Sequence, residues 1–241
     1  MNYLKIIFFG FLGGVAAWFF ILSVPGSSSV AFNFIKGDLA GFLGSTPAPT
    51  PTPISVSPDF WQKIASGHAL STVAIQTFKS GKIVREGSGI VVSSDGVIIT
   101  TLDLVSEAEV VQVFYKDKIL RAQLVKFDGF KNLALLKSSA TNMDVARFDR
   151  NYQFQPGQDV IISGKIVELL NPIIFAQRGM ISRILSKDIV IGTEMDYFLS
   201  GSKAINNSGR IIGMAYLRNG TVRLIKAEVM DDFIKSYFEL N

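Results

Sequence analysis

Short apolar runs rich in Val, Ile and Leu recur along most of the chain, separated by turn-forming residues. The first set is Thr72–Thr77, Gly89–Val92, Val97–Thr100, Val110–Tyr115, Ile119–Val125 and Leu133–Leu136. Ser80-Gly81, Asp95-Gly96 and Lys116-Asp117 punctuate it. A second set follows Pro156-Gly157: Val160–Ile162, Ile173–Phe175, Met180-Ile181, Ile189–Ile191, Ile211–Met214 and Val222–Ile225. Asn219-Gly220 is the strongest hairpin turn in the chain. Runs this short, this β-branched and this regularly interrupted predict strands. Many such strands predict an all-β barrel or sandwich. Their division near residues 148–157 predicts two small barrels, over about 68–148 and 157–228.

Two stretches change period. Met230, Phe233, Ile234, Tyr237 and Phe238 fall on one face of a helix over 229–239. Asp231 and Asp232 then stand in its first turn, where the helix dipole favours them. Ser57-Pro58 reads as an N-cap and first position of a shorter helix, with Phe60, Trp61 and Ile64 on its buried side.

The N-terminal part has a different character. Ile6 to Val24 carries no charge. At about 1.5 Å per residue, such a helix nearly spans a hydrocarbon core of roughly 30 Å. Residues 1–25 are therefore expected to be a single membrane anchor. Lys5 before it favours a cytoplasmic N-terminus. The rival is a cleaved signal peptide ending near Ser29-Val30-Ala31. Residues 26–56 read as a linker, and Thr46 to Pro53 places prolines at alternate positions. That tract makes an extended spacer of roughly 25 Å at about 3.1 Å per residue. The globular part, 57–241, is then held outside the cytoplasm, in a periplasm or extracellular space.

Composition narrows the chemistry. The chain has 48% hydrophobic and 18% charged residues, a balance suited to a globular domain plus a membrane segment. It has no cysteine and one histidine, so neither a disulfide framework nor a metal-ligand cluster is expected, and no cofactor motif appears. The net charge of +4 is spread without a Lys/Arg cluster, which argues against nucleic-acid binding. Asn206-Asn207-Ser208 and Asn219-Gly220-Thr221 match a glycosylation pattern but read as turns.

Six stretches, taken in order, resemble the HtrA/Deg type of trypsin-like serine protease domain. They are the helix from Ser57, Gly87-Ser88-Gly89-Ile90-Val91, and Asp95-Gly96-Val97-Ile98-Ile99-Thr100; then Asp128 to Lys137, Gln177-Arg178-Gly179-Met180-Ile181-Ser182, and Leu199-Ser200-Gly201-Ser202 followed by Ser208 to Gly213. The resemblance covers about residues 57–239 and implies a trypsin-like double six-stranded antiparallel β-barrel with a C-terminal helix. The chain stops where a PDZ domain would begin in that family.

Carried across residue by residue, the resemblance puts the catalytic serine at Ser200, the histidine at Asp103 and the aspartate at Asn132. An oxyanion-hole glycine falls on Phe198, and the wall of the specificity pocket on Arg223-Leu224-Ile225-Lys226. A serine hydroxyl needs a base to become a nucleophile. Histidine serves because it titrates near neutrality and has two nitrogens. A carboxylate with an ordinary pKa near 4 is a poor base at pH 7. His68 lies before the first strand, away from the aligned cleft. Ser200-x-x-Lys203 matches a Ser-x-x-Lys motif, but that geometry needs a helix starting at the serine, and this segment reads as a loop entering a strand.

The resulting expectation is a membrane-anchored pseudoprotease whose inter-barrel cleft binds an extended peptide or envelope protein, with self-association left open. Two alternatives stand beside it. One is an active serine endopeptidase using Ser200 with a non-standard base. The other is a purely structural module of a cell-envelope complex.

Overall fold

A compact unit begins at Val56. The computed structural model describes residues 58–185, 188–194 and 196–239. The anchor expected over 1–25, the linker over 26–56 and the Ser57 cap lie outside the described residues. Among the described residues, no helix is long and apolar enough to cross a membrane.

Helix α1, Pro58–Gly67, leads into the first barrel. Its strands are β1 Thr72–Lys79, β2 Lys82–Val91, β3 Val97–Thr101, β4 Val110–Tyr115, β5 Lys118–Asp128 and β6 Leu133–Ser138. They close in the order β1-β2-β3-β6-β5-β4. A short helix α2, Leu102–Val105, follows β3. The second barrel comprises β7 Asp159–Glu168, β8 Asn171–Ile184, β9 Ile189–Gly192, β10 Ser202–Ile205, β11 Ile211–Arg218 and β12 Thr221–Lys226. It closes in the order β10-β11-β12-β9-β8-β7, and helix α3, Ala227–Phe238, completes the unit. Every strand pair is antiparallel. The fold is an all-β pair of six-stranded barrels with a C-terminal helix.

The apolar runs are continuous because the strands facing the barrel junction are buried on both faces. Side chains alternate along a strand, so neighbours enter different cores. Val91 and Ile98 fill the first barrel, while Ile90 and Ile99 face the junction. Ile162 and Ala204 fill the second barrel, while Ile161 and Ile205 face the same junction. Helix α3 seals that junction with Met230, Phe233 and Ile234. Phe238, expected on the same face, is 46% exposed.

Several local expectations need correction. Ile173–Phe175 and Met180-Ile181 belong to one strand, β8. The polar residues Gln177 and Arg178 between them do not break it, because the ladder to β7 continues through Ile162↔Gln177 and Ile161↔Arg178. Strand β10 carries only a weak apolar signal because Ser202 and Lys203 are polar, yet all four of its residues are buried. Helix α3 starts at Ala227, so Glu228 and not Asp231 or Asp232 occupies its first turn. Those two aspartates instead grip Arg150 of the inter-barrel connection, at 2.6 and 2.8 Å. The β7–β8 hairpin turns at Leu169 and Leu170, both at positive φ, where no glycine or asparagine announced a turn.

Candidate functional site: a rebuilt triad position between two barrels

Strand β3 ends at Thr101, and α2 swings Asp103 to the edge of the first barrel while burying Leu104 and Val105. The β5–β6 loop brings Asn132 opposite, in a left-handed conformation at φ 55°. Asn132 Oδ1 accepts the Asp103 backbone N–H at 2.9 Å. Asn132 Nδ2 donates to Asp103 Oδ1 at 3.3 Å. Asn132 therefore satisfies both the backbone and the carboxylate of its partner. An amide N–H donates a hydrogen bond without giving up its proton. The pair is a fixed polar contact and not a proton relay. Arg85 Nη1 donates to the Asp103 backbone carbonyl at 2.6 Å and leaves the carboxylate to Asn132.

The second barrel supplies Ser200. Asp196 caps a one-turn 3-10 helix, Tyr197–Leu199, its Oδ1 accepting the Phe198 N–H at 3.1 Å. An N–H engaged in this way is aimed at its own loop and not at a bound oxyanion. Ser200 Oγ accepts the Leu217 N–H at a long 3.4 Å, and Ser200 O accepts the Ser88 N–H at 2.9 Å. Gly201 makes this crossing with β2 feasible. Its φ is +82°, and a Cβ there would sit 1.9 Å from the Ser88 carbonyl oxygen.

Ser200 and Asp103 line one cavity of about 520 Å³, together with Arg85, Tyr197, Phe198 and Leu217. Two strand edges border it. β2 pairs with β3 only at Ile90 and Val91, so Lys82–Glu86 pair with β1 alone among the described residues. The pairing of β11 with β10 stops at Ala215, so Tyr216, Leu217 and Arg218 pair with β12 alone.

The family model for the trypsin-like peptidase domain matches residues 87–214, from the Gly-Ser-Gly of β2 to Met214 of β11. The chain belongs to that family. Its trypsin-like domain is of the HtrA type: it is 25% identical over 228 residues to the serine endoprotease DegS of Haemophilus influenzae, covering 90% of this chain and 64% of that protein. It is 28% identical over 134 residues to a DegP-like protein of Halomonas elongata named as a probable periplasmic serine endoprotease, covering 53% of this chain and 28% of that protein. The chain thus spans less than two thirds of the length of these relatives. The crystal structure of a serine endoprotease from Yersinia pestis matches the fold with a TM-score of 0.63 at 23% identity, over 78% of this chain and 67% of the other.

Within the trypsin-like frame, the structure brings Asp103 to Asn132 and puts Asp103, Ser200 and Phe198 around one cavity. Arg223 does not belong to that lining. It is half-buried on the outer side of β12 and pairs with Asp188, which also accepts the Tyr216 hydroxyl at 3.1 Å. The strand that does border the cavity is β11, through Leu217. Sequence matching missed this because main-chain edges, unlike side chains, leave no residue signature.

Lys203 is directed away from Ser200. Its terminal nitrogen, Nζ, donates to Ser71 Oγ at 2.6 Å and to the His68 carbonyl at 2.9 Å, so the Ser-x-x-Lys spacing has no catalytic geometry at Ser200. His68 Nε2 is 2.9 Å from the Gly209 carbonyl oxygen. Burial lowers the Lys203 pKa to about 7, and Lys165 adds to the effect. Burial also lowers Lys165, with Lys116 contributing. Burial and then Lys203 lower His68, against the raising effect of its bond to Gly209.

Proposed function

We propose that this chain is a pseudoprotease: a trypsin-like, HtrA-type domain that holds an extended peptide or a partner protein's segment in the inter-barrel cavity without cleaving it. The observation that supports this most directly is the Asp103–Asn132 pair. It stands where a serine nucleophile needs an imidazole and its orienting carboxylate. The unpaired edges of β2 and β11 offer main-chain hydrogen bonds to an added strand. Ile83, Val84, Tyr197 and Leu217 give the cavity an apolar wall beside Arg85, Glu86 and Asp103, and that wall favours some apolar side chains on the peptide.

The test is titration of fluorescent apolar decapeptides into the purified full-length chain. Binding should survive Ser200→Ala unchanged. Leu217→Arg, which fills the cavity with charge, should weaken it by about tenfold or more, equivalent to ~1.4 kcal/mol. Peptide cleavage abolished by Ser200→Ala would establish the endopeptidase alternative. Absence of binding at millimolar peptide would leave the structural-module reading.

The uncharged run from Ile6 to Val24 favours an N-terminal membrane anchor, and the name of the Halomonas relative favours barrels outside the cytoplasm. Protease added to intact spheroplasts should then digest the part after Pro53 and spare a cytoplasmic control. Protection of both would overturn that orientation.

A further inference from the structure

A second cavity shares no lining residue with the one at Ser200. It measures about 410 Å³ and is lined by His68, Ser71, Arg147, Asp149, Gly209 and Arg210, among others. Behind it stands Lys203, whose side chain is wholly inaccessible to solvent. Its terminal nitrogen contacts two oxygens across the barrel junction, Ser71 Oγ at 2.6 Å and His68 O at 2.9 Å. No carboxylate figures among the groups that shift it.

The hydrogen-bond count around this amine is informative. The His68 carbonyl has two lone pairs. The Thr72 hydroxyl takes one at 2.8 Å, and Lys203 takes the other. Ser71 Oγ approaches the same carbonyl only at 3.4 Å, the longest of the three. Lys203 Nζ donates to Ser71 Oγ as well, at 2.6 Å, so the amine and the hydroxyl are in direct contact. A buried amine this close to a serine oxygen is placed to take the hydroxyl proton once it has lost its own.

We propose that Ser71 and Lys203 form a second hydroxyl–amine pair, distinct from the triad position, that gives the chain acyl-transfer activity toward small anionic esters entering this cavity. As the Ser71 Oγ–carbon bond forms, the hydroxyl proton passes to Lys203 Nζ. The ester C–O bond breaks, and the departing alkoxide takes that proton from the ammonium. Water, deprotonated by the same amine, then hydrolyses the acyl-serine and regenerates Ser71. Arg147 and Arg210 supply positive charge against the single carboxylate of Asp149, which selects for an anionic substrate and favours the oxyanion. The groups around the amine that titrate or carry charge are His68 from the loop before β1, Lys165 from β7 and these three cavity residues. A burial-lowered Lys203 near 7 leaves the base free above neutrality.

The experiment uses the purified full-length chain and a fluorophosphonate probe, with tryptic peptides mapped by mass spectrometry. Ser71 falls in peptide 64–79 and Ser200 in peptide 188–203, so the two serines are read separately. Label is expected in 64–79, at a rate that rises between pH 6 and 8 and then levels. Lys203→Met should slow it by about 100-fold or more. Mono-4-nitrophenyl succinate should turn over faster than 4-nitrophenyl acetate, and Arg147→Gln with Arg210→Gln should remove the difference. No label in 64–79 up to pH 9 in the wild type overturns the proposal, whether or not the variants fold. Undiminished labelling at Ser71 in folded Lys203→Met does the same. Label in 188–203 would count against the pseudoprotease reading alone.

Discussion

A fluorophosphonate is expected to leave Ser200 unmodified, and casein or unfolded peptides are expected to remain intact in the presence of the chain. Ser200 Oγ has the Leu217 N–H as a neighbour, and that group can only donate to it. The nearest triad-equivalent group, Asp103, has Oδ1 tied to the Asn132 amide. The Phe198 N–H, which would have to face the oxyanion, is spent on Asp196. Loss of the base alone removes roughly a millionfold in kcat in a subtilisin-type enzyme, or about 8 kcal/mol of transition-state stabilisation. Loss of an oxyanion donor removes about another 100- to 1,000-fold where it is measured alone. These effects do not add, so the millionfold figure stands for the set. Restoring Asp103→His and Asn132→Asp together should therefore recover little turnover, because the Phe198 N–H would still point into its own loop. Wild-type labelling in peptide 188–203 that vanishes in Ser200→Ala would overturn the reading.

Replacing Lys203 by Met is expected to stabilise the fold at neutral pH by about 1–4 kcal/mol, the range found when buried ion pairs give way to packed apolar groups. The sign follows from linkage. The folded-state pKa is near 7, below the ordinary 10.5. The unfolded chain therefore holds more protons between those values, and stability rises with pH across the window. Below about pH 7 the full cost of burying the charged amine is present; it diminishes as pH rises through the folded-state pKa and is gone above the ordinary 10.5. Lys165 and His68 are lowered as well and act in the same direction. Urea midpoints of the wild type should climb from pH 6 to 9. The advantage of Lys203→Met should shrink by up to about 1.4 kcal/mol per pH unit above pH 7. A wild-type curve that is flat or falling, or a variant curve parallel to it, would show that Lys203 keeps its proton in the folded state.

The alternation of Val and Ile with turn residues was enough to read two sets of strands, because a backbone buried on both faces demands apolar residues at nearly every position. Asn219 and Gly220 both occupy positive φ, as a tight hairpin requires, and that local demand is written in the residue types. Strand β10 was obscured for the opposite reason. Its burial comes from neighbours distant in the chain, so polar residues could occupy it once Ser88, Ser71 and His68 supplied partners. The equivalences Asp103, Asn132 and Ser200 rest on the order of the motifs along the chain.

What those residues do to one another was not legible. Nothing local to Asn132 says that its amide holds both the backbone and the carboxylate of a residue 29 positions earlier. Nor does Lys203 announce that its amine crosses 132 residues of sequence to meet Ser71. Periodicity by itself determined most of the strands and the terminal helix, since these depend on residue type and spacing; the absence of histidine from the triad position followed from the family resemblance. Closure of the two barrels decided which polar groups face each other in the cavities. That outcome depends on register between distant strands, and a one-residue slip would turn every side chain to the other face.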